Sequence, residues 1–200
     1  MSHLHTFTLD AFGRSEPREA AQRLAAGQGC YLDDVTLGKH YHIAFYRSPF
    51  ARARFTIGDL SSAASMPGVL KIVTGKDLQA VCEPWVARLD LLPQHQSAPQ
   101  HALAIDEVYW QGEPVLAVVA QTRAQAEDVL DFIDIDWEDL DAVVDAEQAL
   151  LPNSPLAHPA LNSNLALERT LDKNDADLAF EKADYVVTHR FSFGRQTGVP

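Results

Sequence analysis

A run of six apolar residues, Val115 to Ala120, places the strongest constraint on how this 200-residue chain can fold. It is far too short for a membrane span, which needs about 20 apolar residues, and its valine content favours a strand. A strand that is apolar at every position has to be covered on both faces. Thr122, with Gln125 three residues later, then forms a capping-box pattern that predicts a helix directly after the strand.

Periodic segments before and after this strand include both helical and strand patterns. The patterns predict helices at Pro17–Ala26, Asp59–Met66 and from Asp175, and strands at His40–Arg47, Arg52–Ile57, Val69–Val73, Ile133–Glu138, Leu165–Leu171 and Tyr185–Phe193. A turn at Ser48-Pro49 joins the first two strands. Mixed order of this kind predicts an α+β or α/β layered domain, with a mixed sheet and short helices packed on it.

Charge is distributed unevenly along the chain, whose net charge is −12. Ten carboxylates and no lysine or arginine lie between Glu127 and Glu147. Nucleic acid and anionic membranes need a basic surface that the sequence does not offer, so both are excluded as expected partners. Met1 to Phe12 lacks the basic start and apolar core of a signal peptide, which predicts a cytoplasmic protein.

Several segments imitate metal or nucleotide sites, and each has a plainer structural reading. Asp134, Asp136, Glu138 and Asp145 have calcium-loop spacing, but Asp139 stands where that loop needs glycine. Because Ile135 and Trp137 alternate with the acids, we expect a half-buried strand with a solvated acidic face. Gly27-Gln28-Gly29 lacks the third glycine of a dinucleotide fingerprint and follows a helix, which indicates a turn.

The histidines and cysteines offer no complete site either. His40 and His42 provide only two of the four ligands of a closed zinc site, and we expect them on an edge strand. Cys30 and Cys82 are too few for an iron–sulfur cluster, and we expect free thiols. No Gly-x-Ser-x-Gly elbow is present, and neither cysteine has an evident base. The sequence therefore predicts no catalytic, metal-binding or cofactor-binding residue within these 200 positions.

The segment from Val81 to Ala104 shows no sustained period and is interrupted by three prolines. Irregular segments of this length in compact domains are usually functional. We expect this one to line an inter-domain seam or a substrate route, with Glu83, Trp85, His95 and His101 as its candidate residues.

Three groups of motifs, in a fixed order, resemble a known family. The first is Gly27 to Val35, a glycine-rich turn followed by Tyr-Leu-Asp-Asp. The second is Arg47-Ser48-Pro49-Phe50-Ala51-Arg52-Ala53, with Pro67-Gly68-Val69 and Thr74 to Leu78 after it. The third is Gly112-Glu113-Pro114-Val115, followed by Trp137 to Leu140 and Asp145 to Leu150. Together they are similar to the N-terminal α/β-hammerhead domain in the molybdopterin-binding large subunit of the xanthine dehydrogenase, aldehyde oxidase and carbon monoxide dehydrogenase family.

The resemblance implies a division of the chain into four parts. Residues 1–16 would be a flexible arm, 17–150 the hammerhead domain and 151–164 a linker. Residues 165–200 would be a strand, a helix and a strand that begin the molybdenum-cofactor domain. The segment Phe193 to Pro200 looks like the lead-in to a Met-Glu-Pro motif of that domain. Arg47, Ser48, Pro49, Gly112, Glu113 and Pro114 would be structural motif residues.

The resemblance also implies a function for the intact enzyme. It would be a molybdenum oxidoreductase that hydroxylates an aldehyde, purine or N-heterocycle, or oxidises carbon monoxide. Molybdopterin would be bound by domains after residue 200, with [2Fe-2S] and possibly FAD on small and medium partner subunits or domains. The 200-residue chain itself would be inactive. Arg52 and Leu116 depart from the usual family residues, histidine and alanine. The alternative is a free-standing binding or assembly module of similar fold.

Overall fold

The computed structural model describes residues 13, 15, 18–35, 37–171 and 175–194. Most of the predicted arm, residues 1–16, and the lead-in from Arg195 onward lie outside the described residues. The described helices are α1 (Glu19–Ala25), α2 (Ser61–Ala64), α3 (Gly75–Gln79), α4 (Arg123–Asp128) and α5 (Ala176–Glu181). The strands are β1 (His42–Arg47), β2 (Ala53–Ile57), β3 (Val69–Thr74), β4 (Glu107–Val108), β5 (Pro114–Ala120) and β6 (Ile135–Asp139).

The first sheet has β5 at its centre, paired antiparallel with β1 on one side and β3 on the other. Leu116 and Val118 of β5 are fully buried and pack with Ala63, Val129 and Ile133 of the helical layer. The prediction that this apolar run is a strand covered on both faces is confirmed, because every residue from Val115 to Ala120 except the half-buried Val119 is buried. Its neighbour β1 is an edge strand that carries His42, as predicted, but the strand begins at His42, so His40 lies before it and not on it.

The second sheet has β2 at its centre, between β4 and β6. Phe55 of β2 faces Trp137 of β6 in register, with ring centroids 5.5 Å apart. β1 and β2 follow one another in the chain but belong to different sheets, so the turn at Ser48-Pro49 carries the chain from one sheet to the other. Val115, near the start of β5, packs with Phe55 and Val108, which brings the two sheets into one core.

Capping boxes begin two of the helices. Thr74 and Asp77 exchange hydrogen bonds at the start of α3, and Thr122 and Gln125 do so at the start of α4, as predicted for α4. At α3 the chain also needs a glycine, because a Cβ on Gly75 would overlap the carbonyl of Ala104. The helix start is thereby seated directly on the segment that leads into the second sheet.

The acidic run lies on the solvated surface of the elements that were predicted for it. Asp134, Asp136 and Glu138 are exposed, whereas Ile135 and Trp137 between them are half-buried. The alternating strand reading is confirmed by β6. Asp145 does not approach the other three as a ligand; its carboxylate accepts the backbone N–H groups of Glu147 and Gln148 at 2.9 and 2.8 Å.

Two predicted strands are corrected by the structure. Residues 165–171 and 185–193 contain no strand, although α5 lies between them as predicted. A strand exists only when a neighbour pairs with its backbone groups, and the described residues supply none to either segment. The side chains of the second segment are correspondingly exposed, with Tyr185 at 92% and Phe193 at 89%. Its alternating pattern favours a strand, but the described residues provide no neighbouring strand with which it could pair.

Candidate functional site

The two structural motifs of the sequence, Arg47-Ser48-Pro49 and Gly112-Glu113-Pro114, lie against each other in the fold. The Arg47 side chain donates to the carbonyl of Gly112 at 2.9 Å, across 65 positions of sequence. The Ser48 N–H donates to the carbonyl of Glu113 at 2.9 Å, and the Gly112 N–H donates to the carbonyl of Ser48 at 2.8 Å. Gly112 has a φ of +91°, a conformation that favours glycine. The motifs together close the end of the first sheet.

The Glu113 side chain is the most deeply buried acid at this closure, with only 4% of its surface exposed. One of its carboxylate oxygens accepts the backbone N–H of Tyr109 at 2.6 Å. Burial raises the pKa of Glu113 to about 7, although the backbone N–H groups of Tyr109 and Trp110 act in the opposite direction. The carboxyl group therefore fixes the turn between β4 and β5, at the cost of removing an ionisable group from water.

A cavity of about 190 Å³ opens beside this turn. Its walls combine aromatic rings with acids and histidines, including His101, Glu107, Tyr109, Trp110, Glu113 and His158. Three separate stretches of chain contribute to it: the irregular segment before β4, the turn after β4, and the predicted linker. It is the place where the irregular parts of the chain meet.

Arg52, immediately before β2, ties the predicted linker to the second sheet. Its Nε lies 3.0 Å from a carboxylate oxygen of Glu107, and both side chains are only 14% exposed. Its Nη1 donates to the carbonyls of Leu156 and Asp141 at 2.9 and 3.3 Å. We call this set of contacts the linker latch. It joins β2 and β4 to Asp141 and Leu156, both of which come much later in the sequence than either strand.

An aromatic contact lies next to the linker latch. The rings of Tyr109 and His158 are 4.6 Å apart between centroids. Burial lowers the pKa of His158, and the positive charge of Arg52 lowers it further. Burial also raises the pKa of Tyr109, and Glu107 adds to that rise. Both groups are therefore favoured in their neutral forms at this junction.

The four residues predicted to line an inter-domain seam or a substrate route do not form one cluster. His101 lines the cavity beside Glu113. Trp85 pairs with Gln100 through an antiparallel bridge, and its side chain is exposed. His95 lies in a separate, shallower cleft with Leu161, and its buried Nδ1 has no partner in the described part of the chain. Glu83 is exposed and lines neither space.

Sequence reasoning missed the residues that hold this junction together. Glu107, Tyr109 and His158 carry no local motif. The Tyr109–His158 contact spans 49 positions, and the contacts of Arg52 with Glu107 and Leu156 span 55 and 104. The sequence contained one indication of this junction, because Arg52 stands where the motif usually has histidine. A cation at that position required a partner, but only the fold identifies Glu107 as that partner.

No metal site is found among the described residues, where no group of three or more histidine, cysteine, aspartate or glutamate side chains is placed to hold an ion. The rings of His40 and His42 are 4.8 Å apart, but the Nδ1 of His40 is already in hydrogen-bond contact with the carbonyl of Leu37. Cys30 and Cys82 are both free and exposed, as predicted. In the same part of the chain, no helix is long and apolar enough to cross a membrane.

The molybdenum cofactor implied by the motifs does not fit the residues of this cavity. Such a cofactor carries a phosphate, which needs a cluster of N–H donors or cationic side chains. The cavity instead presents the carboxylates of Asp106, Glu107 and Glu113, and its one neighbouring cation, Arg52, is already engaged. Its volume is also below the roughly 300 Å³ at which cofactor pockets begin. No step of a molybdenum reaction is assigned to these residues.

Two curated proteins similar to this chain are large subunits of enzymes. It is 33% identical to the nicotine 6-hydroxylase large subunit of Paenarthrobacter nicotinovorans over 96% of its own length and 23% of that protein. It is 31% identical to the carbon monoxide dehydrogenase large chain of Afipia carboxidovorans, over 94% of its length and 24% of that protein. The chain thus spans less than a quarter of the curated relatives it matches.

Solved structures give the same result for the fold. The crystal structure of quinoline 2-oxidoreductase from Pseudomonas putida 86 superposes with a TM-score of 0.75 at 33% identity, covering 88% of this chain and 22% of that one. A copper- and molybdenum-containing CO dehydrogenase matches with a TM-score of 0.63 at 29% identity, over 86% of this chain and 23% of its own. The family model described as "aldehyde oxidase and xanthine dehydrogenase, a/b hammerhead domain" matches residues 26–141. This chain belongs to that family, and its residues 26–141, which contain both described sheets, correspond to the α/β-hammerhead domain.

Proposed function

We propose that this chain is the N-terminal, non-catalytic part of a molybdenum hydroxylase large subunit, and that it positions the domains that carry the chemistry. The observation that carries this proposal is the difference in coverage: a relative is matched over 96% of this chain but over only 23% of its own length. The remaining three quarters of such a subunit is ample for a cofactor domain.

The reaction of the intact enzyme would be oxidative hydroxylation of a small molecule. Its substrate would be an aldehyde, a purine or an N-heterocycle, with carbon monoxide as the other member of the set. Two proteins at 33% identity are named for nicotine and quinoline, both N-heterocycles. N-heterocycles are therefore the first substrates to test.

The cofactor and partners follow from the same proposal. Molybdopterin would be held by residues outside this chain, because the cavity described above has the wrong charge and size for it. Electrons would leave through [2Fe-2S] centres and FAD on partner subunits or domains. A protein named as subunit gamma of a 6-hydroxypseudooxynicotine dehydrogenase complex is 27% identical over 94% of this chain, which supports a multi-subunit assembly.

The exposed segment from Tyr185 to Phe193, which forms no strand within the described residues, would become a strand when the next domain supplies its pairing partner. Its apolar side chains alternate, and three of them, Tyr185, Val187 and Phe193, are at least 89% exposed. A period-2 apolar strand that lacks a sheet is stabilised when a second set of strands supplies one. This arrangement keeps the boundaries predicted from the sequence, 17–150 for the hammerhead domain and 151–164 for the linker.

The irregular segment from Glu83 to His101 would line a substrate route or an inter-domain seam in the intact enzyme. It is attached to the chain beyond the predicted linker, because the Gln96 N–H donates to the carbonyl of Ala166 at 2.8 Å. Deleting part of the segment in the intact enzyme should change substrate preference or subunit association. If substrate profile and sedimentation both equal those of the unmodified enzyme, the segment is a surface loop only.

The proposal is tested with the full-length polypeptide and its partner subunits. Substrate-dependent reduction of an artificial electron acceptor should occur with at least one N-heterocycle, aldehyde or purine, or with carbon monoxide. A preparation made without molybdenum should lose this activity. The reading frame that follows Pro200 supplies a second test, since a stop codon there would favour the free-standing binding or assembly module.

A further inference from the structure

The path by which the chain leaves the hammerhead is held by side-chain contacts and not by regular secondary structure. Between β6 and α5 the described residues form only one 3-10 turn, Gln148–Leu150. Irregular chain of this kind has no ladder of hydrogen bonds to fix its direction. Contacts that fix it must come from side chains alongside. The exposed Arg190–Glu147 ion pair reaches this path, and the linker latch is a buried charged contact that does so.

Arg52 is well placed for this role because its own backbone is immobilised. Its carbonyl accepts the N–H of Leu140 at 3.1 Å, which continues the pairing of β2 with β6 by one residue. The guanidinium then acts as a planar fork, with Nε directed to Glu107 and Nη1 to the carbonyls of Asp141 and Leu156. A lysine cannot supply donors in this fixed geometry.

The burial of these groups makes the latch costly to break. Arg52 and Glu107 are 14% exposed, whereas Arg54 and Glu138, a pair on the same sheet, are 60% and 65% exposed. Hydrogen bonds to a charged group that is shielded from water contribute more than solvated ones. Loss of the guanidinium would also leave the Glu107 carboxylate without its counter-charge in a poorly solvated place.

We propose that Arg52 is a positioning residue that fixes the direction in which the chain leaves the hammerhead toward its next segment. Asp141 and Leu156 are drawn to a single side chain, so the loop between them is closed onto the second sheet. The Tyr109–His158 ring pair continues the attachment beyond Leu156. Within the irregular path itself, the Asn164 amide donates to the carbonyls of Ala149 and Pro155 at 2.9 and 2.8 Å, which holds its loops together. This inference concerns the geometry of the junction and goes beyond the proposed function.

The test is hydrogen exchange of the full-length polypeptide, followed by mass spectrometry. The variant Arg52→Ala should speed exchange in peptides covering 141–160 by roughly ten- to a hundredfold, the range expected when charge-assisted hydrogen bonds are lost. Peptides covering β5 should exchange as in the unmodified protein. Arg52→Lys should recover only a small part of the protection, and Glu107→Gln, which keeps the two carbonyl contacts, should have an intermediate effect.

The matched control is Arg54→Ala, which removes an exposed arginine two positions along and should leave 141–160 unchanged. Unchanged exchange at 141–160 in Arg52→Ala would overturn the proposal. So would an equal acceleration in β5, because Arg52 would then support the hammerhead as a whole and not the linker. Equal effects of Arg52→Ala and Arg54→Ala would also overturn it, by showing that any lost surface charge suffices.

A second measurement reports on the latch itself. Since Arg52 lowers the pKa of His158 and Glu107 opposes that effect, Arg52→Ala should raise the pH at which His158 becomes reactive toward diethyl pyrocarbonate. Arg54→Ala should leave that pH unchanged. A His158 profile that is the same in Arg52→Ala and in the unmodified protein would show that the guanidinium does not lie at the linker. Neither readout depends on enzymatic activity, so this proposal and the proposed function can fail separately.

Discussion

Glu113 illustrates how a single motif residue can hold two parts of the fold through its side chain and its backbone. Its carboxylate accepts the Tyr109 N–H and its backbone carbonyl accepts the Ser48 N–H, so one residue holds both the β4–β5 turn and the facing motif. A buried acid with a pKa near 7 resembles a catalytic group. Here its hydrogen-bond partners are backbone amides, and a structural assignment accounts for the burial.

The pKa of Glu113 leads to a specific prediction for stability. Its pKa is about 7 in the folded chain and 4.5 as a free side chain, so the folded state binds the proton more tightly. Stability contributed by the neutral form is therefore complete below pH 4.5 and is lost as the pH rises through 7. Glu113→Gln keeps an acceptor for Tyr109 and cannot ionise. Relative to the original chain, the free energy of unfolding of this variant should therefore increase by up to about 3 kcal/mol as the pH rises from 4.5 to 8.

Urea unfolding of the two chains at pH 5 and pH 8 measures this difference. Glu113→Ala serves as the control, because it removes the acceptor and should lower the free energy of unfolding by about 1–3 kcal/mol even at pH 5. A Glu113→Gln advantage that is the same at both pH values would contradict the raised pKa.

At the scale of secondary-structure elements, the capping boxes of α3 and α4 can be compared directly, because only the one at α3 contains an ionisable side chain. The Asp77 carboxylate accepts the N–H and the hydroxyl of Thr74, both at 2.8 Å, and these bonds lower its pKa below 3.8. Its contribution to stability is therefore present above pH 3.8 and is lost as the pH falls through the lowered value. Gln125 fills the same position at α4 and cannot titrate.

We expect Asp77→Ala and Gln125→Ala each to lower the free energy of unfolding by about 1 kcal/mol at pH 6. At pH 3 the effect of Asp77→Ala should shrink, whereas the effect of Gln125→Ala should persist. Chemical unfolding of both variants at the two pH values provides the comparison. Equal pH dependence in the two variants would show that the Asp77 carboxylate does not cap α3.

The elements that could be predicted from the sequence are those whose stabilising contacts are local or whose pattern is unambiguous. Val115–Ala120 is apolar at every position, and Thr122 with Gln125 specifies a helix start, so β5 and α4 were both predicted. Residues 165–171 and 185–193 have strand composition, but a strand also requires a partner. Composition alone does not report whether a partner is present, and in the described residues it is not.

At the scale of the whole molecule, the motifs identified the domain but not its junction. Arg47-Ser48-Pro49 and Gly112-Glu113-Pro114 are recognisable in sequence, and the fold brings them into contact. The contacts of Arg52 with Glu107 and Leu156 join positions 55 and 104 residues apart. No local pattern records such distances, so the linker latch could be found only in three dimensions. The part of the chain that would direct the remaining domains is thus the part that sequence motifs describe least.

The central claim is that this chain positions the chemistry of a molybdenum hydroxylase without carrying it. The most direct measurement compares the molybdenum content and hydroxylase turnover of residues 1–200, expressed alone, with those of the full-length large subunit assembled with its partners. The account predicts stoichiometric molybdenum and substrate turnover in the assembled enzyme, and neither in residues 1–200. Stoichiometric molybdenum or turnover in residues 1–200 would contradict it.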